Sequence, residues 1–288
     1  TGDRHGGPAV DYTVNPALGI PEITGPEGHD GPVANALPAW DCMAGNMVVS
    51  SLLAAERHRL RHGVGQGVEF ALKDVAAATI GHLGMIAEAT LNEEPRKKAG
   101  NSLFGAYGQD FVCACGGRVM VIGLTDRQWR GLIKATDSQA AIADLETSLG
   151  VPLSDEGNRW THRAHITAIL APWFAAHRIS EFEEKFNEMS LTWSIFRSVK
   201  DALRDDVDQF ANNPMFSELE QPGIGRYMVP SHPVSFEASP TLEPRIAPSV
   251  GQHTEEILHQ TLGMTTGEMG RLFDEGIVAS PEFNRDKF

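Results

Sequence analysis

Leu37-Pro-Ala-Trp-Asp-Cys-Met-Ala-Gly45 opens an apolar segment that runs to Ala55 and ends in Glu56-Arg-His-Arg59. Asp41 stands just before the apolar run, in the position of a helix N-cap, where a carboxylate can accept backbone N–H groups. The run is apolar nearly all round, which is typical of a buried helix. We therefore predict a buried helix over Met43 to Arg59 with Asp41 as its cap.

The position of Asp41 also suits a catalytic role for its carboxylate. Backbone N–H groups and the helix dipole both favour the ionised form of a carboxylate at a helix start. Such a carboxylate could attack a thioester, and nearby N–H groups could stabilise the oxyanion that forms. The plain alternative is that Asp41 only caps the helix. The local pattern leaves both interpretations open.

The composition is that of a soluble globular protein, with 41% hydrophobic and 22% charged residues. The formal net charge is −14. A surface of this sign repels phosphate backbones and anionic lipid, so nucleic acid and membrane surfaces are not expected as partners. A local basic pocket for an anionic ligand stays compatible with this balance.

The chain has three cysteines, and no apolar run reaches the length of about 18 residues that a transmembrane helix needs. Three cysteines without regular spacing are not a disulfide framework. We read them as reduced thiols of a cytoplasmic protein. The histidine pairs His58–His62 and His162–His165 lie beside arginines, and the histidines show no metal-ligand spacing, so no metal site is predicted.

The first hundred residues are predicted to alternate loops with helices. The Gly- and Pro-rich residues 1–38 read as loops with at most one short strand or helical turn. Val68-Glu-Phe-Ala-Leu72 alternates like a strand, and Asp74 is placed to cap a second helix over Val75 to Thr90. Residues 92–101 read as a charged linker.

The middle of the chain has a different pattern. Phe111 to Cys115 and Arg118 to Leu124 predict a β-hairpin around Gly116-Gly117. Residues 126–206 show helical spacing, and residues 212–250 are Pro-rich and extended. Two further helices are predicted, over Thr254 to Leu262 and over Thr266 to Glu275. This order favours a middle domain inserted between two pieces of an outer domain.

A basic, glycine-rich turn, Gly63-Val-Gly-Gln-Gly67, follows the first helix. A turn of this type can touch a phosphate. It lacks the Lys-Ser/Thr ending of a Walker A loop and the preceding strand of a dinucleotide fingerprint. A simple tight turn therefore explains the motif equally well.

Four blocks of sequence together resemble the class III coenzyme A transferases, the group that contains carnitine-CoA transferase, formyl-CoA transferase and methylacyl-CoA racemase. Their order and spacing cover nearly the whole chain. The blocks are Asp41 with Ala44-Gly45 and the helix Val48 to Arg59; Gly63 to Asp74, similar to the family's G-x-G-Q-x-V-x-x-x-L-x-[DE]; Gly100-Asn101 with the loop to Gly108; and Ala247 to Leu258 with Leu262-Gly263 and Gly276-Ile-Val278.

The resemblance implies an α/β fold: a Rossmann-like large domain with an inserted smaller α+β domain, in subunits that form interlocked homodimers. It divides the chain into residues 1–98 of the large domain, a small domain over 99–226, and a C-terminal return to the large domain over 227–288. Family members begin with a dinucleotide-type βαβ half of about 100 residues. The resemblance implies that this half, with much of the CoA-binding surface, is lacking here.

The resemblance also assigns roles. It makes Asp41 the acyl-accepting nucleophile. It places CoA contacts at Asp11 and Tyr12 and in the glycine loop, at Gly105, Tyr107, Gly108 and Gln109. This loop is expected to close over Asp41 and exclude water, with a simple shaping of the turn as the alternative. Val10 stands where the family's racemases carry a histidine, and valine cannot move a proton, which favours a transferase.

A finer resemblance points to the mesaconyl-CoA branch of the family, through stretches such as Ala9 to Asn15, Leu37 to Asp41 and Gln221-Pro-Gly-Ile-Gly225. Enzymes of that branch move CoA between the two carboxyls of one C5 unsaturated diacid. The resemblance implies an acyl-CoA substrate and no permanently bound cofactor. Two alternatives remain: a transferase that uses a separate acid acceptor, and a non-catalytic chain that serves as a structural subunit.

Overall fold

The computed structural model describes residues 6–281 and divides the chain into two compact units, Thr1–Phe196 and Arg197–Phe288. In the first unit the elements are α1 (Asp11–Ala17), α2 (Ile20–Ile23), α3 (Ala39–His62), α4 (Leu72–His82), α5 (Met85–Leu91), β1 (Tyr107–Val112), β2 (Arg118–Gly123), α6 (Asp126–Ala135), α7 (Gln139–Leu149), α8 (Glu156–Thr161), α9 (Arg163–Ala176), α10 (Ile179–Glu188) and β3 (Thr192–Ile195).

The second unit contains fewer elements. They are α11 (Val199–Asp205), β4 (Phe216–Gln221), β5 (Gly225–Pro230), α12 (Thr254–Glu256), a π-helical turn over Ile257–Thr261, and α13 (Thr266–Asp274). Among the helices of residues 6–281, none combines the length and the apolar character needed to cross a membrane.

Helices α1 to α5 pack around a small apolar cluster. Val14 of α1, Trp40 of α3 and Ala76 of α4 are buried against one another, and partly buried side chains from α1, α2 and α4 surround them. The prediction of loops over residues 1–38 was therefore wrong for α1 and α2. Their short amphipathic turns become helical because Val14 has Trp40 and Ala76 to pack against, which no local pattern shows.

Helix α3 begins earlier than predicted. Its N-cap is Pro38, and Asp41 is the third residue of the helix, with no capping hydrogen bond from the Pro38 side chain. Asp41 as N-cap was therefore wrong. Pro38 takes the cap position because its fixed φ of −74° leads into the helix and its carbonyl accepts the N–H of Cys42 at 3.2 Å.

The prediction that α3 is buried was also wrong for the part of the chain that the structure describes. Only Trp40 and Ala44 of the helix are buried. The helix packs against α1 and α4 near its start. The large apolar side chains exposed along the rest of the helix are Met43, Met47, Val48, Val49, Leu52, Leu53 and Leu60. An apolar pattern predicts burial only where a second element covers it.

The strand predicted over Val68 to Leu72 does not form. Residues 64–71 are extended but unpaired, and α4 starts at Leu72. A strand exists only with a hydrogen-bonding partner, and residues 6–281 provide none beside this segment. The helix predicted over Val75 to Thr90 is interrupted by Gly84, whose φ of +78° separates α4 from α5.

The hairpin predicted around Gly116-Gly117 is confirmed. Strands β1 and β2 are antiparallel, with Tyr107 opposite Gly123 and Val112 opposite Arg118. Strand β3 adds to the other side of β2, with Val119 opposite Ile195. The order β1-β2-β3 places one sheet face against α6 and α9.

The main core lies between this sheet and the helices α6 to α10. Phe174 of α9 stacks on Phe111 of β1 with 4.3 Å between ring centroids, and Phe182 and Phe186 of α10 join them. Aromatic side chains dominate the buried volume here because each removes a large apolar area from water. This core fixes the position of the sheet, and the loop before β1 leads directly into that sheet.

In the second unit, β4 and β5 form an antiparallel hairpin with Phe216 opposite Pro230. The side chain of Gln221 donates to the Ala247 carbonyl at 3.2 Å and accepts the Ala247 N–H at 2.8 Å, which holds the following extended segment. Helix α13 is confirmed, and it ends before Gly276. The domain division at 98 and 226 stays a prediction.

Candidate active site

Asp41 lies in the first turn of α3 with an exposed side chain. Within residues 6–281 its carboxylate makes no hydrogen bond and no ion pair, so its oxygens are open to a ligand. The position third in the helix places the side chain beside the unsatisfied N–H groups of the first turn, which favour negative charge there. The carboxylate therefore meets the first requirement of a nucleophile, which is access.

Two side chains of α1 hold the residue before Asp41. The backbone N–H of Trp40 donates to Oδ2 of Asp11 at 2.7 Å, and the Trp40 indole Nε1–H donates to Oδ1 of Asn15 at 3.2 Å. Asp11, Asn15 and Trp40 are exposed by only 4%, 3% and 5%. The structure thus brings Asp11 next to Asp41 through Trp40. Sequence analysis did not identify Asn15 and Trp40 as functional residues. The signal that could have indicated them is Pro38, whose side chain cannot accept a capping hydrogen bond, so another segment must supply the acceptor.

Tyr12 follows Asp11 on α1, and its side chain is 61% exposed. Val10, the N-cap of the same helix, is exposed as well. The ring of Tyr12 is free to contact a ligand on this side of α1. The valine offers no proton to transfer.

The glycine loop is closed by its own hydrogen bonds. The Leu103 N–H donates to the Gly108 carbonyl at 3.0 Å, and the Ser102 hydroxyl donates to Oε1 of Gln109 at 2.7 Å. Gly105 lies at the exposed tip with φ of +82°, a conformation that side chains disfavour. Its main chain is the most accessible part of the loop, whereas the Gln109 side chain is engaged.

Tyr107 and Gly108 are the first residues of β1 and not part of the loop, and both are buried. The Tyr107 side chain is fully buried, its hydroxyl is 3.1 Å from Oγ1 of Thr167, and its ring meets Trp129 edge-on. Burial raises the pKa of the Tyr107 hydroxyl above its usual range, although the Thr167 hydrogen bond acts against this. Tyr107 is therefore neutral, and because the whole residue is buried, its backbone is not accessible to a ligand either.

Two aromatic rings, each in contact with an arginine, pack beside the loop. The rings of Phe104 and Trp160 are tilted against each other with 5.0 Å between centroids, and Arg96 lies 3.7 Å from the centroid of the Phe104 ring. Arg163 lies 4.1 Å from the Trp160 ring on the other end. Cation–π contacts of this kind stabilise each pair by about 0.5–1 kcal/mol at partly exposed sites.

The structure does not join the two predicted halves of the site by direct contacts. Within residues 6–281 no hydrogen bond, ion pair or ring contact links Gly105 or Gln109 to Asp11, Tyr12 or Asp41. Asp11 and Asp41 belong to the helical cluster, and the loop belongs to the sheet.

The remaining candidates carry no further chemistry. Gly63 is the C-cap of α3, with φ of +76° and its N–H bound to the Arg59 carbonyl at 2.8 Å. This explains the glycine as a helix end. The part of the chain that the structure describes has no group of three His, Cys, Asp or Glu side chains arranged to hold a metal ion.

Comparison with curated proteins finds close relatives. The chain is 50% identical over 281 residues to the 2-methylfumaryl-CoA isomerase of Chloroflexus aurantiacus, which covers 98% of this chain and 69% of that protein. It is 26% identical over 272 residues to the succinyl-CoA:mesaconate CoA-transferase of Haloarcula marismortui, covering 93% of this chain and 64% of the relative. The chain thus spans about two thirds of the length of these proteins.

Comparison with solved structures supports the fold. A CaiB/BaiF family protein from Brucella suis superposes with a TM-score of 0.68 at 18% identity, over 90% of this chain and 65% of the other. At this identity the match shows the fold alone. It confirms the predicted fold class.

One family model agrees with both comparisons. The model of CoA-transferase family III matches residues 1–254. The matched range includes Asp41, the contacts of Asp11 and Asn15 with Trp40, and the glycine loop. The chain therefore belongs to CoA-transferase family III.

Proposed function

We propose that this chain belongs to an enzyme that moves CoA between the C1 and C4 carboxyls of mesaconyl-CoA, with Asp41 as the nucleophile. The observation that carries this proposal is the 50% identity to a 2-methylfumaryl-CoA isomerase over 98% of the chain. The exposed, unpaired carboxylate at the start of α3 supplies the reactive group.

The proposed reaction proceeds through covalent intermediates at Asp41. A carboxylate oxygen attacks the thioester carbonyl, the C–S bond breaks, and CoA leaves as a thiolate, which produces a mixed anhydride. The thiolate then attacks the Asp41 acyl carbon, and the diacid leaves as a carboxylate. The product of this step is an enzyme–CoA thioester.

The return half of the reaction uses the other carboxylate of the retained diacid. It attacks the Asp41 thioester, CoA leaves again as a thiolate, and a new anhydride forms. The thiolate attacks the diacid carbonyl of this anhydride, which regenerates the Asp41 carboxylate. No proton is consumed, so the nucleophile needs only to stay ionised. The site must also exclude water, because water would hydrolyse the anhydride.

The proposal assigns CoA contacts to the accessible groups of the predicted set. These are the ring of Tyr12, the main chain of Gly105 and the partly exposed Gln109, whereas Tyr107, Gly108 and Asp11 are buried and act by shaping the site. The acyl-CoA is a substrate, and the reaction needs no resident cofactor. The proposed setting is the cytoplasm.

A homodimer is part of the same proposal. The exposed apolar side chains of α3, from Met43 to Leu60, form a surface that water disfavours. A second copy packed on α3 would cover it. Sedimentation velocity at micromolar concentration tests this, and a monomer at all concentrations would contradict it.

The nucleophile is tested with Asp41→Asn and a matched control. Asp144 is an exposed helical aspartate with no side-chain partner in residues 6–281, so Asp144→Asn removes a similar charge at a remote place. We expect Asp41→Asn to abolish CoA exchange and Asp144→Asn to retain it. Hydroxylamine with mesaconyl-CoA should produce a hydroxamate on Asp41 in the wild type. Turnover in folded Asp41→Asn would overturn the mechanism.

A second candidate is transfer to a separate acid, favoured by the similarity to a succinyl-CoA:mesaconate CoA-transferase. Labelled free mesaconate separates the two reactions. Label that enters the CoA ester pool during turnover supports the intermolecular reaction. Label that stays free supports intramolecular transfer. A folded protein with no turnover and no Asp41 adduct supports a structural subunit.

A further inference from the structure

The residue before Asp41 is held at both of its N–H groups by one helix. Asp11 and Asn15 are four residues apart on α1, so their side chains share one face. Asp11 accepts the backbone N–H of Trp40 at 2.7 Å, and Asn15 accepts its indole N–H at 3.2 Å. We call this set, Asp11, Asn15 and Trp40, the tryptophan clamp.

The clamp replaces an ordinary helix cap. A helix start leaves N–H groups without partners, and the N-cap side chain normally accepts one of them. Pro38 has no acceptor in its side chain, so the buried N–H of Trp40 depends on Asp11, which is 29 residues away in sequence. A carboxylate is a strong acceptor here because the bond is charge-assisted and the helix dipole favours its charge.

The second contact of the clamp fixes rotation. A single hydrogen bond to the backbone leaves the helix start free to tilt about it. The indole of Trp40 lies buried among Val14 and Ala76, and its N–H to Asn15 selects one orientation of the ring. The two contacts together fix the position and the direction of the main chain at Trp40.

Because Asp41 follows Trp40 directly, the clamp also fixes the main chain at Asp41. Its side chain has no partner of its own in residues 6–281, so the main chain held at Trp40 fixes the Cα–Cβ bond of Asp41 and thereby the positions that its carboxylate can reach. A nucleophile reacts efficiently only when it is held close to the line of attack, and a displacement of about 1 Å can cost on the order of 100-fold in rate. Loss of order at the clamp would therefore displace Asp41 and slow the reaction.

We propose that Asn15, with Asp11, is a positioning residue for the Asp41 nucleophile, acting through Trp40 and not through contact with the substrate. The inference rests on the proposed function. It differs from a purely structural role of the clamp, which would affect stability but would leave the turnover of the folded protein unchanged.

The test uses variants at Asn15 and a matched control. Asn15→Leu removes the acceptor at similar size, and Asn15→Asp keeps an oxygen in the same place. The chain offers a second asparagine–tryptophan pair, in which Asn187 accepts the indole N–H of Trp193 at 3.0 Å; this pair is exposed, so it is a control for the bond type and not for burial. Asn187→Leu therefore removes the same type of bond far along the chain from Asp41.

We expect Asn15→Leu to lower kcat by on the order of tenfold with KM for the acyl-CoA within about twofold. Asn15→Asp should restore most of kcat, and Asn187→Leu should keep it. In the Trp40→Phe background, which lacks the indole N–H, Asn15→Leu should cost nothing further, because the two residues act as one pair. An unchanged kcat in folded Asn15→Leu would overturn the proposal.

A readout without turnover separates this proposal from the proposed function. In the wild type the backbone N–H and the indole N–H of Trp40, which are both hydrogen-bonded and buried, should exchange slowly with D2O, as followed by NMR. Asn15→Leu should accelerate both, and Asn15→Asp should restore protection. If wild-type protein shows no turnover, the proposed function fails, and unchanged exchange in Asn15→Leu would then overturn the clamp by itself.

Discussion

Arg96 donates from Nε to a carboxylate oxygen of Glu88 at 3.0 Å, and the same guanidinium lies 3.7 Å from the centroid of the Phe104 ring. One side chain thus connects α5 to the loop before β1. Both partners are largely shielded, with side-chain exposures of 20% for Arg96 and 22% for Glu88. The ion pair is therefore a largely shielded contact between α5 and this loop.

The Glu88–Arg96 pair predicts a pH dependence of stability. The hydrogen bond from Arg96 lowers the pKa of Glu88 below its usual value, against the opposing effect of burial. A group with a lowered folded pKa stabilises the fold above its unfolded pKa of about 4.3. That stabilisation is lost as the pH falls through the lower folded value.

We therefore expect the free energy of unfolding of the wild type to exceed that of Glu88→Gln by up to about 1 kcal/mol near pH 7. The difference should shrink below about pH 4. Urea unfolding at several pH values measures it. Glu93→Gln, at an exposed and unpaired position, is the control. A difference that grows as the pH falls would contradict the prediction.

Cys115 and Cys113 should differ in reactivity although only Ala114 separates them. Hydrogen bonds from the backbone N–H groups of Ile179 and Gly117 lower the pKa of the exposed Cys115 thiol. Burial raises the pKa of Cys113 to about 11, and the neighbouring Cys115 adds to this.

Iodoacetamide at pH 7 should label Cys115 in the native protein and Cys113 only after unfolding, because the thiolate is the reactive form. Tandem mass spectrometry of the peptide that contains both residues locates the label. In Cys115→Ser the peptide should stay unlabelled. Labelling of Cys113 in the native protein at the rate of Cys115 would contradict the burial of the Cys113 thiol.

Gly108 and Gly105 should respond differently to alanine. A Cβ at Gly108 would lie 2.7 Å from Cδ1 of Ile122 and 2.7 Å from Cβ of Leu103, so the strand pair must shift. A Cβ at Gly105 meets nothing within 4 Å, and the cost there is the positive φ of +82°.

We expect Gly108→Ala to destabilise the protein by about 1–3 kcal/mol, as overpacking does. Gly105→Ala should cost about 1 kcal/mol through backbone strain alone. Chemical denaturation measures both. Wild-type stability of Gly108→Ala would contradict the close packing at β1.

Arg159 is a buried cation that binds backbone carbonyls instead of a carboxylate. Its guanidinium donates to the carbonyls of Leu153 at 2.8 Å, Ser154 at 2.9 Å and Leu124 at 2.6 Å. It is exposed by only 1%. These bonds tie the loop before α8 to the end of β2.

Arg159→Met should lower the free energy of unfolding by about 1–3 kcal/mol, because the buried bond to the Leu153 carbonyl and the part-buried bonds to Ser154 and Leu124 lose their donor. Arg159→Lys should be nearly as harmful, since an ammonium cannot span the three carbonyls. The exposed Arg130→Met is the control. Equal melting temperatures for Arg159→Met and Arg130→Met would contradict the structural role.

Local patterns determined much of this protein. The alternation around Gly116-Gly117 was enough for the β1–β2 hairpin, and the spacing of Trp129 and Leu132 was enough for α6, because period and turn chemistry act over a few residues. Order and spacing of four blocks were enough for the family. Asp41 at the start of an apolar helix was visible in the same way.

Tertiary structure decided what depends on distant partners. Val68 to Leu72 has a strand pattern but no strand to pair with, and α3 has an apolar pattern but little to cover it in residues 6–281. Tyr107 is buried because α9 brings Thr167 to its hydroxyl. The cap of α3 comes from Asp11, not from Asp41, since a hydrogen bond across 29 residues leaves no mark in a local pattern. The sequence alone located the candidate nucleophile; only the fold showed what holds it in place.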